Sequence, residues 1–172
     1  MDGKRLTHLD EHGRARMVDV GEKPMTRRRA RAAGTIRMAA ATLNAIQVGG
    51  IPKGDVLAVA RLAAIGGAKH TADTIPLCHP LPLDSVVVEL ELDSALPGVR
   101  ISVETSVEAR TGVEMEALCG VSAGLLAVYD MCKGMDRGME ISEVWLVSKQ
   151  GGRSGVWQRP EDVPDERSDV GR

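Results

Sequence analysis

The sequence predicts an α+β fold, an antiparallel sheet with helices packed on one face. Three observations carry this prediction. Val86–Leu92 and Val99–Glu108 both alternate apolar with polar residues, and only a short turn containing Leu96-Pro97-Gly98 separates them, so they read as a β-hairpin. From Val113 to Lys133, the residues Leu118, Val121, Leu125, Val128 and Cys132 recur at the spacing of one helix face. The remaining elements complete the order strand, helices, two strands, helix, strand.

The elements are predicted in turn as follows. Met17-Val18-Asp19-Val20 is the first structured element. Arg27 to Met38 alternates basic or polar residues with small apolar ones around Gly34, which favours a strand. Met38 to Val48 reads as a helix stopped by Gly49-Gly50. A second helix runs from about Lys53 to Ala68, with Val56, Val59, Ala60, Ala63 and Ala64 on one face. Pro76, Pro80 and Pro82 then forbid regular structure and leave Leu77-Cys78-His79 in a loop. After the hairpin and the long helix, a last strand from Ile141 to Ser148 leads into Gly151-Gly152-Arg153-Ser154-Gly155. One domain, 17–158, is expected between mobile tails at 1–16 and 159–172, both polar and without an apolar face.

Composition sets the class. A chain of 172 residues can bury one core. With no Phe, two Trp and one Tyr, that core must be closed by Val, Leu, Ile, Ala and Met. A net charge of −2 argues against a dedicated nucleic-acid binder, although Arg27-Arg28-Arg29 with Arg31 forms a local basic run suited to phosphate. Three cysteines at irregular spacing are no disulfide framework, and reduced thiols point to a cytoplasmic protein. The N-terminal residues show no apolar stretch resembling a signal peptide. The apolar run Ala117–Tyr129 falls short of the ~20 residues that span a bilayer, so no membrane partner is expected.

Several residues could do chemistry. Asp130 and Lys133 share a helix face and could transfer protons or stabilise an oxyanion. A surface ion pair uses the same two residues. Glu114 and Glu116 begin the same helix, where acidic side chains also serve the helix dipole. His79 lies in a proline-bracketed loop beside Cys78, but no C-x-x-C or H-x-x-x-H spacing marks a metal site, and none is predicted. Lys53 precedes a helix in Gly49-Gly50-Ile51-Pro52-Lys53-Gly54-Asp55, which departs from the Walker pattern yet could still present a cation to phosphate. Lys149 with Arg153 near the final glycines has the same double reading. Glu114 and Asp130 lie ~24 Å apart along one helix. If both ends are functional, symmetry-related chains would bring them together, with Glu116 of one copy near Lys133 of another.

Met17-Val18-Asp19-Val20, Lys53-Gly54-Asp55-Val56, Ile75–Leu81, Thr111–Leu118 and Tyr129–Lys133 together resemble the cyclic pyranopterin monophosphate synthase family, the molybdenum cofactor biosynthesis protein C family. The resemblance covers about Leu6 to Gln158 and implies a ferredoxin-like fold and a hexamer built as a trimer of dimers. It implies conversion of 3′,8-cyclo-7,8-dihydroguanosine 5′-triphosphate into cyclic pyranopterin monophosphate with release of pyrophosphate. It further implies that Asp130, Lys133 and Lys53 are catalytic. Leu77, Cys78, His79, Glu114, Met115, Glu116, Arg28, Lys149 and Lys23 are implied to bind substrate, between subunits. No resident cofactor is implied, and no carboxylate cluster marks a dedicated Mg²⁺ site. The implied chemistry would be served by a Lys133 whose burial brings its pKa toward neutrality.

Overall fold

A computed structural model of the chain describes residues 12–160 apart from Leu96. Most of the two predicted tails lies outside the described residues. The strands are β1 (Thr26–Arg37), β2 (Ser85–Asp93), β3 (Gly98–Ala109), β4 (Glu140–Gln150) and β5 (Trp157–Gln158). The helices are α1 (Ala40–Gln47), α2 (Val56–Lys69), α3 (Thr71–Thr74) and α4 (Glu114–Cys132). The sheet order is β2-β3-β1-β4-β5, and every pairing is antiparallel. Setting aside the short β5, this is the split βαβ arrangement of the ferredoxin-like fold.

Alternation explains the hairpin. Val88 pairs with Val103 and Leu90 with Ile101, so the aliphatic residues of both strands fall on one face. The same rule sorts the basic run of β1. Ala30, Ala32 and Ile36 are buried on the helix side, and Arg28 shares their face. Arg29 and Arg31 turn to the opposite face, where they meet Glu104 at 3.4 Å and Glu89 at 2.9 Å. The run predicted as one phosphate patch is therefore split between two faces of the sheet.

The core closes without Phe because its layers approach closely. A Cβ at Gly34 of β1 would lie 2.7 Å from Val121 Cγ1 and 2.9 Å from Leu125 Cδ1, so α4 rests directly on the central strand. Between the helices, Ala60, Ala64 and Ala68 of α2 are buried along the side that meets Gly120 and Gly124 of α4. Small residues there let van der Waals contact replace aromatic filling.

Several boundaries differ from expectation. Met17–Val20 forms neither strand nor helix. Its alternating apolar residues instead put Val18 and Val20 on a cavity wall. The second helix starts at Val56 rather than Lys53 because Gly54 has a φ of 103°, and Asp55 caps the helix by accepting from the Ala58 amide at 2.9 Å. The final strand is longer than predicted, since irregularities in its pairing with β1 absorb residues that break strict alternation. β5 was not anticipated. The long helix extends the apolar run to 19 residues, and by length and composition alone it could cross a membrane. Its buried residues Ala117, Val121, Leu125 and Val128 make it the core helix instead.

Candidate functional site

Two clusters occupy the two ends of α4. At the C-terminal end, Asp130 is exposed and sits between two lysines. Lys133 Nζ lies 2.7 Å from its Oδ1, one helical turn on. Lys53 Nζ lies 2.9 Å from its Oδ2 and also donates to the Asp130 carbonyl at 2.7 Å. Cations are favoured at this end because the last helical carbonyls are unpaired and the dipole is negative there. Asp136 anchors the following loop by accepting from the Ala39 amide at 2.9 Å.

These contacts set the charges. The hydrogen bond from Lys133, then that from Lys53, lowers the Asp130 pKa to about 2. The same carboxylate raises the Lys133 pKa. The expectation that burial would bring Lys133 toward neutrality is thus overturned in the isolated chain, because its side chain is half-exposed and paired with a carboxylate.

At the N-terminal end, Leu77, Cys78, His79, Glu114, Met115 and Glu116 line one cavity of about 300 Å³. The proline-bracketed loop supplies the first three residues and the first turn of α4 the others. Lys23 and Val18 reach the same space from the segment before β1. Glu116 is only 4% exposed. Burial raises its pKa to about 6, its own backbone N–H opposes the shift, and Glu114 adds to it. Burial also pushes the Cys78 thiol up, reinforced by Glu116 and then Cys119.

A second cavity of about 530 Å³ adjoins the first and shares Lys23, Thr111, Gly112 and Glu114 with it. Arg28 and Lys149 line this second space. Arg28 donates from Nε to the Ala109 carbonyl and from Nη2 to the Arg110 carbonyl, both at 3.4 Å. Lys149 is hydrogen-bonded to the Ser154 hydroxyl. Arg110, Thr26 and Ser154 also line it and were missed in the sequence. Ser154 belongs to the glycine-rich turn already noted, whereas Arg110 and Thr26 lie outside the motifs, and only the β1–β3 register, which opposes Thr26 to Ala109, brings those two together.

The structure therefore unites Asp130, Lys133 and Lys53 at one place. It unites Leu77, Cys78, His79, Glu114, Met115, Glu116, Lys23, Arg28 and Lys149 at another. It does not join the two within one chain, since α4 spaces them by ~24 Å. Among the described residues, no group of three or more His, Cys, Asp and Glu is arranged to hold a metal ion. The cation-rich cavity can accept an anion, and the lysine-flanked carboxylate holds two ammonium groups at one point. The model of the MoaC family matches residues 17–152, and the chain belongs to that family, the molybdenum cofactor biosynthesis protein C family, with a role in molybdenum cofactor biosynthesis.

Proposed function

We propose that the protein is the phosphorus–oxygen lyase that converts 3′,8-cyclo-7,8-dihydroguanosine 5′-triphosphate into cyclic pyranopterin monophosphate and pyrophosphate. The observation that carries this reading is the convergence of Lys53 and Lys133 on the single carboxylate of Asp130, in a chain of this family. The purine-derived ring must rearrange with proton transfers, and Asp130 with the lysines supplies groups of opposite charge to move them. A ring hydroxyl then attacks the α-phosphorus. The new P–O bond forms as the bond to the β-phosphate oxygen breaks, the hydroxyl proton passes to a base, and pyrophosphate leaves. Positive charge from Lys53, Lys133, Arg28, Lys149 and Lys23 stabilises that step.

The separation of the two clusters supports a site shared between chains, with Asp130, Lys133 and Lys53 of one subunit facing the pocket of Leu77, Cys78, His79, Glu114, Met115 and Glu116 of another. A homohexamer built as a trimer of dimers satisfies this requirement. In such a site the lysines would be drawn from water, and Lys133 could exchange its proton more readily than in the isolated chain. The protein acts in the cytoplasm without a resident cofactor, and any Mg²⁺ arrives with the triphosphate.

The test is turnover of the cyclic triphosphate by the wild-type protein and Lys133→Ala, with pyrophosphate and pterin both quantified. Wild type releases the two in equal amounts, and the variant, folded by circular dichroism, loses at least ~100-fold in rate. Near-normal turnover by the variant refutes the role of Lys133. Turnover of guanosine triphosphate itself would favour a simpler nucleotide hydrolase or cyclase.

A further inference from the structure

The lysine pair on Asp130 is assembled from two separate stretches of chain. Lys133 closes α4 and is followed by Gly134, where a Cβ would meet nothing within 4 Å. Local packing therefore gives no hold on the chain just after Lys133. Lys53 arrives from the other side, across the loop that follows α1. That loop is tied to α1 by the Gly50 amide, which donates to the Ala45 carbonyl at 2.8 Å, and Ile51 is buried in the core. The position of α1 thus decides where Lys53 starts.

One side chain joins the two stretches. α1 has no side-chain cap at Ala39 and no acidic residue in its first turn, so its opening backbone groups must be satisfied from elsewhere. Asp136, in the turn after α4, does this. Its Oδ2 accepts from the Ala39 amide at 2.9 Å and from the buried Thr42 hydroxyl at 3.4 Å. Its Oδ1 accepts from the Gly138 amide at 2.9 Å, and its own amide donates to the Cys132 carbonyl at 3.1 Å. The negative charge also suits the positive end of the α1 dipole. The buried Cys132 thiol registers the arrangement. Burial pushes it up, the Asp136 charge adds to that, and the Lys53 charge pulls the other way. A second tie, from the Tyr129 hydroxyl to the Arg137 carbonyl, stays within α4 and its turn and does not reach α1.

We propose that Asp136 is a positioning residue: by clamping the start of α1 to the turn after α4, it holds Lys53 and Lys133 together on the Asp130 carboxylate. Both lysines spend their ion pairs on Asp130, so Asp136 acts on them through the backbone. The inference rests on the proposed reaction for its effect on turnover, but not for its effect on the lysines. Two ammonium groups must stay within hydrogen-bond reach of one carboxylate. A slip of ~1 Å between the stretches that carry them can cost a catalytic arrangement ~10²-fold.

Two measurements test the clamp. Competitive acylation of amines at mildly alkaline pH, read by mass spectrometry, reports how firmly each lysine is held. In Asp136→Ala, Lys53 and Lys133 are expected to react about threefold faster than in wild type, because a loosened carboxylate favours their ammonium forms less. Exposed Lys69, at the end of α2, keeps its rate. Turnover of the cyclic triphosphate is expected to lose ~10-fold in kcat with KM within about twofold, because the cavities lie at the other end of α4. Thr42→Val removes one donor and shows both changes on a smaller scale. Glu140→Gln, an exposed carboxylate at the start of β4, shows neither. Should Asp136→Ala fail to fold, Asp136→Asn keeps one acceptor oxygen and serves for both measurements. Unchanged lysine reactivity in the folded variant overturns the proposal, as does a kcat within about twofold of wild type. If wild type fails to turn over the cyclic triphosphate, the proposed reaction falls, and lysine reactivity alone decides the clamp.

Discussion

The two ends of α4 carry carboxylates that the fold treats in opposite ways. Asp130 is exposed, flanked by two lysines, and held at a pKa of about 2. Glu116 is buried beside Glu114 and raised to about 6. Residue type does not separate them, since both are ordinary acids in the unfolded chain. Partners decide the first case and desolvation the second. The lesson is a division of labour. One end offers a fixed negative charge that orders two cations, and the other a carboxyl that can change its protonation near neutral pH.

Removing the fixed charge should have the largest effect. Asp130→Asn keeps the shape but no longer anchors Lys53 and Lys133 as a charged pair. Turnover is expected to fall ~10²–10⁴-fold with little change in melting temperature, because the group is exposed. A stopped-flow assay of pyrophosphate release reads this, and a loss below tenfold would show that the lysines act without it.

A mixture sharpens the comparison in a different way. Glu116→Gln and Lys133→Ala, each impaired alone, are expected to regain roughly a quarter of wild-type activity when co-expressed, because mixed dimers rebuild one intact site from two chains. No recovery, with mixed assembly verified by mass spectrometry, would place both ends in the service of one chain.

The helix between the two ends should fail by ordinary core physics. Leu125 is fully buried against the central strand. Leu125→Ala is expected to cost ~2–5 kcal/mol, measured by urea unfolding, with the ligand-binding cavities affected only through loss of folded protein.

The smallest effect belongs to the titrating end. The folded pKa of Glu116 lies above its ordinary value of 4.5, so the fold favours the protonated form. Its favourable contribution is fully present below that ordinary value and is lost as pH rises through about 6. The swing is on the order of 2 kcal/mol. Thermal melts from pH 4 to 7 should show wild type losing stability relative to Glu116→Gln, and parallel curves would contradict the raised pKa. Asp130 has the opposite sign. Its pairing is lost only as pH falls toward about 2.

Much of the architecture was legible because alternation and helical spacing are local. β2, β3 and α4 follow directly from Val88, Val103 and Leu125. The α4 ends were legible too, since helix length alone separates Glu114 from Asp130. What could not be read was contact between distant segments. Nothing near Lys53 says that its ammonium meets the Asp130 carboxylate, and nothing in Arg27-Arg28-Arg29 says that Arg28 donates to the Ala109 and Arg110 carbonyls while Arg29 pairs with Glu104. That required the strand register. The cavity role of Val18 and Val20 was hidden because an alternating tetrapeptide looks the same in a strand and in a packed coil. Arg110 and Thr26 were invisible for the same reason as Lys53. They become neighbours only through the pairing of β1 with β3.

The aromatic-free core has an optical consequence. The chain's two indoles are Trp145 on β4 and Trp157 on β5, and Trp157 pairs with Lys149. Its one phenol, Tyr129, precedes Asp130 and donates to the Arg137 carbonyl at 3.3 Å. Of the two indoles, Trp157 lies beside Lys149 while Trp145 sits opposite Ala33 in mid-strand, and tyrosine absorbance watches the opposite end of α4. A ligand settling in the arginine-lined space should shift the indole signal, and a change of charge at Asp130 should shift the phenol. The native protein thus carries one built-in optical reporter for each half of its chemistry, with no dye or label.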